Sequence, residues 1–188
     1  MNKKMVLSIT ICMLLFTGTV VFGQNAQSNN LGKVLILYYT WSNANTDKVA
    51  NIIQGLVNAD IVKIEPTFPD LEYGPMIQWI EDQQKKQDYP EIKPIGVDIA
   101  SYDFIIVGTP TWYTTLATPI VTLLQQTDFK GKPVTVFATH KGDPRRIFDD
   151  FAALARNARI VRGELFANVA NDSQIEGKVT RWVRGLRK

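Results

Sequence analysis

Apolar positions along this chain gather into short unbroken runs, then spread to helical spacing, and the cycle repeats. Val34 to Tyr39 is a continuous apolar run, as expected of a parallel strand covered on both faces. Thr40 to Thr46 then turns polar, with three side-chain hydroxyls and two amides in seven residues. From Val49 the apolar residues Ile52, Ile53, Leu56 and Val57 follow helical spacing. Asp60 to Glu65 alternates and predicts a second strand, and Pro66 to Asp70 a turn. Tyr73 to about Gln87 predicts a helix with Met76, Ile77 and Ile80 on one side. Tyr89 to Val97, with two prolines, is a surface connection.

The second half continues the pattern. Asp103 to Gly108 is the next strand, and Thr109 to Thr115 a polar-aromatic loop. Pro119 suits the first turn of a helix running to about Gln126. Lys132 to Ala138 predicts a fourth strand and Thr139 to Pro144 another polar loop. Arg145 to Asn157 predicts a helix with Ile147, Phe148, Phe151, Leu154 and Ala155 inside. Arg159 to Ala167 is the last strand. Ile175, Val179, Trp182, Val183 and Leu186 mark a closing amphipathic helix. Five strands alternating with helices predict an α/β fold: an open, doubly wound, five-stranded parallel sheet with helices on both faces. No internal repeat or low-complexity tract divides it.

The N-terminus changes the picture. Residues 1–23 have the form of a secretory signal peptide, with Lys3 and Lys4 ahead of the apolar stretch Val6 to Phe16. Val21 and Gly23 suit the small positions of a cleavage site before Gln24. The alternative is an uncleaved anchor, although Met5 to Phe22 is short against a span of roughly 20 residues. Residues 24–32 then form a short linker and 33–188 one domain. This predicts an exported protein, periplasmic or in the cell envelope. Cys12, the only cysteine, lies inside the apolar stretch, so no lipoprotein acylation site follows it. The mature chain therefore has no disulfide, thiol nucleophile or cysteine metal site.

His140 is the only histidine, which excludes a histidine-rich metal site, and no metal site is expected. Gly-x-Ser-x-Gly, Walker and Gly-x-Gly-x-x-Gly motifs are all absent. The net charge of +3 conceals an asymmetry: 24–129 carries 6 Lys/Arg against 12 Asp/Glu, and 130–188 carries 13 against 6. Lys178, Arg181, Arg184, Arg187 and Lys188 put much of the positive charge on the last helix. That helix is either a plain solvated face or a surface attracted to anionic lipid or an acidic protein. No nucleic-acid partner is expected.

In an open parallel sheet, ligands bind beyond the carboxyl ends of the strands. Three loops leave such ends. Thr40, Trp41, Ser42, Asn43, Ala44, Asn45 and Thr46 suit a phosphate at a helix N-terminus, or merely cap that helix. Pro110, Thr111, Trp112 and Tyr113 offer flat apolar faces to a planar ring, or pack on a neighbouring helix. Thr139, His140, Lys141 and Gly142 supply polar groups and backbone donors, or plain surface. Together the three describe a mononucleotide with a large flat heterocycle. No side chain is nominated as a catalytic acid or base.

These segments resemble the flavodoxin family, over roughly Gly32 to the C-terminus. The resemblance rests on Val34-Leu-Ile-Leu-Tyr-Tyr-Thr-Trp-Ser42 followed by Asn45-Thr46, and on Tyr102-Asp-Phe-Ile-Ile-Val-Gly-Thr-Pro-Thr-Trp-Tyr113. Phe129-Lys-Gly-Lys-Pro-Val-Thr-Val-Phe-Ala-Thr139 is the third match. It implies strand order 2-1-3-4-5 and FMN as cofactor. The first loop would hold the phosphate, and the other two would flank the isoalloxazine. Ala44 stands where the family usually has the glycine that supplies positive φ, and Asn43 and Asn45 are the neighbours best able to carry that bend. The function expected is electron transfer with a redox partner protein or small-molecule acceptor. The alternatives are an FMN-dependent NAD(P)H:quinone-type reductase and a flavin-free envelope interaction module.

Overall fold

The computed structural model describes residues 31–41 and 44–188. The expected signal peptide, most of the linker, and Ser42 and Asn43 of the first loop lie outside the described residues.

The strands are β1 (Val34–Tyr38), β2 (Asp60–Lys63), β3 (Phe104–Trp112), β4 (Thr115–Leu116), β5 (Pro133–His140), β6 (Arg159–Ile160) and β7 (Glu164–Ala167). The helices are α1 (Asn45–Val57), α2 (Tyr73–Lys86), α3 (Thr118–Gln126), α4 (Ile147–Leu154) and α5 (Ile175–Gly185). The parallel sheet runs β2-β1-β3-β5-β6, with β7 also on β5 and β4 antiparallel to β3. Counting β6 and β7 as one interrupted strand gives the expected 2-1-3-4-5 order.

Successive residues on a strand point to opposite faces, and this divides the core. Leu35, Leu37, Ile105, Val107, Val134 and Val136 face α2, α3 and α4. Val34, Ile36, Phe104, Ile106 and Phe137 face α1 and α5. The central strands are buried on both sides, hence their continuous apolar runs. On α1, Val49, Ala50 and Ile53 are buried, whereas Leu56 is exposed.

Four boundaries differ from the sequence expectation. The loop expected from Thr109 is instead the end of β3, which turns back through Tyr113 and Thr114 into β4. The Thr109 hydroxyl anchors that hairpin by accepting from the Ala117 amide at 3.1 Å. Next, β5 runs through Thr139 and His140 because β7 pairs with both. The last strand is interrupted because Gly163 sits so tightly against the Val136 carbonyl that a Cβ would collide with it. There the Arg162 carbonyl accepts from the Thr135 hydroxyl at 3.0 Å instead of joining a ladder. Finally, α4 is shorter than predicted, and Phe148, expected inside, is exposed.

Candidate functional site

The ends of β1, β3 and β5 lie side by side: Tyr38 pairs with Gly108, and Pro110 with Thr139. Chain order thus brings three distant segments to one edge of the sheet. Between them lies an open cleft of about 280 Å³. Two concavities of about 510 and 530 Å³ lie elsewhere, so convergence of chemistry, not volume, locates the site.

Eleven of the expected residues line the cleft: Thr40, Trp41, Ala44, Asn45, Thr46, Pro110, Thr111, Trp112, Thr139, His140 and Lys141. Ser42 and Asn43 are outside the described residues. Gly142 does not line the cleft; its carbonyl accepts from His140 Nδ1 at 2.8 Å. That bond places the proton on Nδ1 and leaves Nε2 as the ring's remaining polar atom. Tyr113 is corrected too. As the first turn residue it has φ 58°, its ring is 51% exposed, and it borders neighbouring hollows instead. A two-residue hairpin needs such a φ, and taking it turns the side chain away from its neighbour Trp112.

At the first loop, Ala44 itself carries the bend, with φ 49° and ψ 18°. Asn45 is already helical, so the left-handed position did not move to it. Ala44 occupies the N-cap and makes no side-chain cap bond, whereas an expected capping role would need one. The Lys48 amide closes the first turn on the Ala44 carbonyl at 2.9 Å. The earlier amides of a helix have no partner within it, and the helix dipole makes this end attractive to an anion. Thr46 is buried and its hydroxyl meets that of Thr139 at 2.9 Å, joining the first loop to the third. In such a pair one hydroxyl donates to the other, whose own proton remains available to a ligand oxygen. The Tyr38 hydroxyl donates to Asp47 at 2.6 Å and engages the carboxylate in α1's first turn. Burial first, then this hydrogen bond, pushes the Tyr38 phenol above its ordinary range.

The aromatic wall differs from the expected pair. Trp112 is 9% exposed and packs edge-on to Tyr39 (5.5 Å) and Trp41 (5.3 Å) and beside Phe68 (6.4 Å). It is a core residue that also reaches the cleft. Trp41 stacks on Tyr73 at 5.9 Å with rings 25° apart. Tyr73, at the start of α2, is the lining residue that sequence reasoning missed. Its signal was present: a tyrosine opening a helix whose apolar stripe begins only at Met76.

The Thr111 hydroxyl is buried yet bonds to nothing among the described residues. No group of His, Cys, Asp and Glu able to hold a metal occurs among the described residues.

Residues 33–186 match the family model for flavodoxin. The chain belongs to the flavodoxin family. Among solved structures, a flavoprotein from Lactobacillus acidophilus NCFM in complex with FMN is similar, with 28% identity and a TM-score of 0.64 over 78% of this chain and 97% of that one. A Bacteroides eggerthii protein shares 22% identity and a TM-score of 0.68 over 83% and 99%. Oxidised flavodoxin 2 from Bacillus cereus shares 20% and a TM-score of 0.53 over 80% and 94%. No curated protein matches the chain. Membership of the family accounts for the edge on which the cleft lies.

Proposed function

We propose that this flavodoxin-family protein binds FMN in the β1–β3–β5 cleft and transfers electrons. The observation that carries the reading is the convergence in one cleft of the α1 N-terminus and the Thr46–Thr139 hydroxyl pair with Trp41, Trp112 and Tyr73. Similarity to the FMN complex from Lactobacillus acidophilus supports the same ligand. When bound, the flavin supplies the one- and two-electron redox chemistry. The chain's residues hold and orient it. The α1 N-terminus, Asn45 and the Thr46–Thr139 hydroxyl pair receive the phosphate. Trp41, Trp112 and Tyr73 give the ring system apolar faces and keep water from it. The His140 ring offers a hydrogen bond at its polar edge. Lys141 adds positive charge beside a dianionic ligand.

Protein purified with flavin present should be yellow, with a flavin absorbance that bleaches on dithionite reduction and returns in air. Colourless protein that takes up no added FMN would sink the proposal.

A second reading, an FMN-dependent NAD(P)H:quinone-type reductase, draws on one observation. A hollow of about 190 Å³ lined by Trp41, Ile77, Ile80, Thr111, Trp112 and Tyr113 adjoins the cleft and has room for a flat acceptor. NAD(P)H oxidation that depends on added quinone separates this enzyme from a carrier. We further propose export to the cell envelope, from the character of residues 1–23, with the basic α5 resting on anionic lipid. Among the described residues no helix is long and apolar enough to cross a membrane. Fractionation of cells and salt-sensitive pelleting with anionic vesicles test these two points.

A further inference from the structure

A second concavity, of about 510 Å³, lies between α5 and the interrupted edge formed by β6 and β7. It is independent of the FMN cleft and shares no residue with it. Its floor is apolar: Phe166 and Leu186, with Trp182 packed on Phe166 at 5.9 Å and on Phe137 at 6.3 Å. The Trp182 indole Nε1 is buried there and donates to nothing among the described residues. Indole N–H groups usually find an acceptor when buried.

The rim is cationic. Lys178 is already held by Asp172 at 2.7 Å, but neither the Arg162 nor the Arg181 guanidinium has a carboxylate partner among the described residues. Glu164, the single acid on the rim, turns one oxygen back to the Leu165 amide at 3.0 Å. A strand from another protein does not suit this edge. β6 has two residues and β7 four, and the Arg162 carbonyl between them is taken by Thr135. Short, interrupted edges of this kind discourage strand addition. What the place does offer is an apolar slot and two planar guanidinium forks, whose geometry matches a carboxylate. The volume falls in the range of small-molecule sites.

We propose that this slot binds a soluble amphipathic carboxylate, its apolar chain or ring on Phe166 and Trp182 and its carboxylate between Arg162 and Arg181.

The test uses the full chain labelled with ¹⁵N-tryptophan. Its four tryptophans give four indole N–H signals, and Trp182→Phe assigns the relevant one. Decanoate, kept below its micelle concentration, should shift the Trp182 signal saturably and leave the other three in place. Decanol, which lacks the head group, should bind at least about tenfold more weakly. Arg162→Gln with Arg181→Gln should cost decanoate about tenfold or more, with thermal midpoint and FMN binding unchanged. Both arginines are exposed, so this variant should fold. An unmoved Trp182 signal would overturn the proposal, as would equal binding of decanol. A shift produced by phosphatidylglycerol vesicles but not by decanoate would also overturn it, marking a lipid-surface contact instead.

Discussion

Ala44→Gly separates a strained functional turn from an ordinary helix start. Ala44 sits at φ 49°, where an L-residue pays about 1–2 kcal/mol for the closeness of its Cβ to the following carbonyl. Glycine removes that cost, but its greater freedom in the unfolded chain takes back about 0.4–1 kcal/mol. The net is a stabilisation on the order of 0.5–1 kcal/mol. For a domain of this size that corresponds to a rise of about 1–4 °C in the thermal midpoint. The internal control is Ala50→Gly, the same change in the buried interior of α1, which should cost about 1 kcal/mol and lower the midpoint. The effect on FMN depends on whether the turn holds its shape without ligand. If it does, FMN gains only the closer approach that loss of the Ala44 methyl allows. If it relaxes, the glycine form tightens FMN by up to about fivefold. Thermal melts of the two variants and FMN titration by flavin fluorescence read all three quantities. A lowered midpoint for Ala44→Gly, or weaker FMN binding in a natively folded variant, would refute the assignment of strain to this turn.

Thr46→Val keeps the shape of the side chain but breaks the buried pair with Thr139. FMN should bind more weakly by about 1 kcal/mol, roughly fivefold, with riboflavin much less affected; equal losses for both would place Thr46 away from the phosphate. Tyr73 is 72% exposed, so Tyr73→Ala should leave the thermal midpoint nearly unchanged while weakening FMN and riboflavin alike by about 0.5–1.5 kcal/mol. Trp112→Ala, by contrast, should destabilise the protein itself by about 3–5 kcal/mol in chemical denaturation, because three aromatic partners lose their contact. Burial raises the phenols of Tyr38 and Tyr39 above the unfolded value of 10.0. Their stabilising effect is complete below about pH 10 and is lost as the pH rises through their raised folded values, because the unfolded chain releases those protons first. The part of the tyrosinate absorbance that is lost in a Tyr38→Phe/Tyr39→Phe variant should therefore appear together with the loss of far-UV circular dichroism in strong alkali, and ionisation of both phenols in a still-folded chain would contradict this.

Much of this fold was legible because periodicity reports burial. The runs at Val34 and Phe104 are apolar without alternation, since both faces of the central strands are covered. Errors fell where a local contact outweighed pattern. Thr111 and Trp112 looked like loop residues because hydroxyls and prolines surround them, yet the hairpin pairs them with Leu116 and Thr115. Arg159 to Ala167 looked like one strand because the contact of Gly163 with the Val136 carbonyl leaves no trace in hydropathy. In the site, residues near strand ends were found because the sheet's topology dictates which ends meet. Tyr73 was missed because its signal, a tyrosine ahead of the apolar stripe of α2, does not say that it meets Trp41 across the cleft. The adjacency of Trp112 and Tyr113 misled, since one positive φ separates the two rings.

The left-handed alanine at the head of α1 is best understood through what holds it. A left-handed alanine persists only where its surroundings over-determine it. Here the Lys48 amide bonds to the Ala44 carbonyl, and the Ala44 amide reaches the Trp41 carbonyl at 3.3 Å. One residue beyond Ala44, Asn45 begins the helix; Thr46 is then fixed to Thr139, and Asp47 to Tyr38. Each bond contributes about 0.5–1.5 kcal/mol, so together they outweigh the strain of a single residue. The glycine typical of the family is therefore not required for the bend itself. What alanine adds is a methyl group at the mouth of the cleft, where glycine would let a ligand approach the backbone more closely. On this argument the cost of Ala44 falls on ligand contact more than on folding. An Ala44→Val variant, bulkier and β-branched, should then lose FMN affinity by a larger factor than riboflavin affinity.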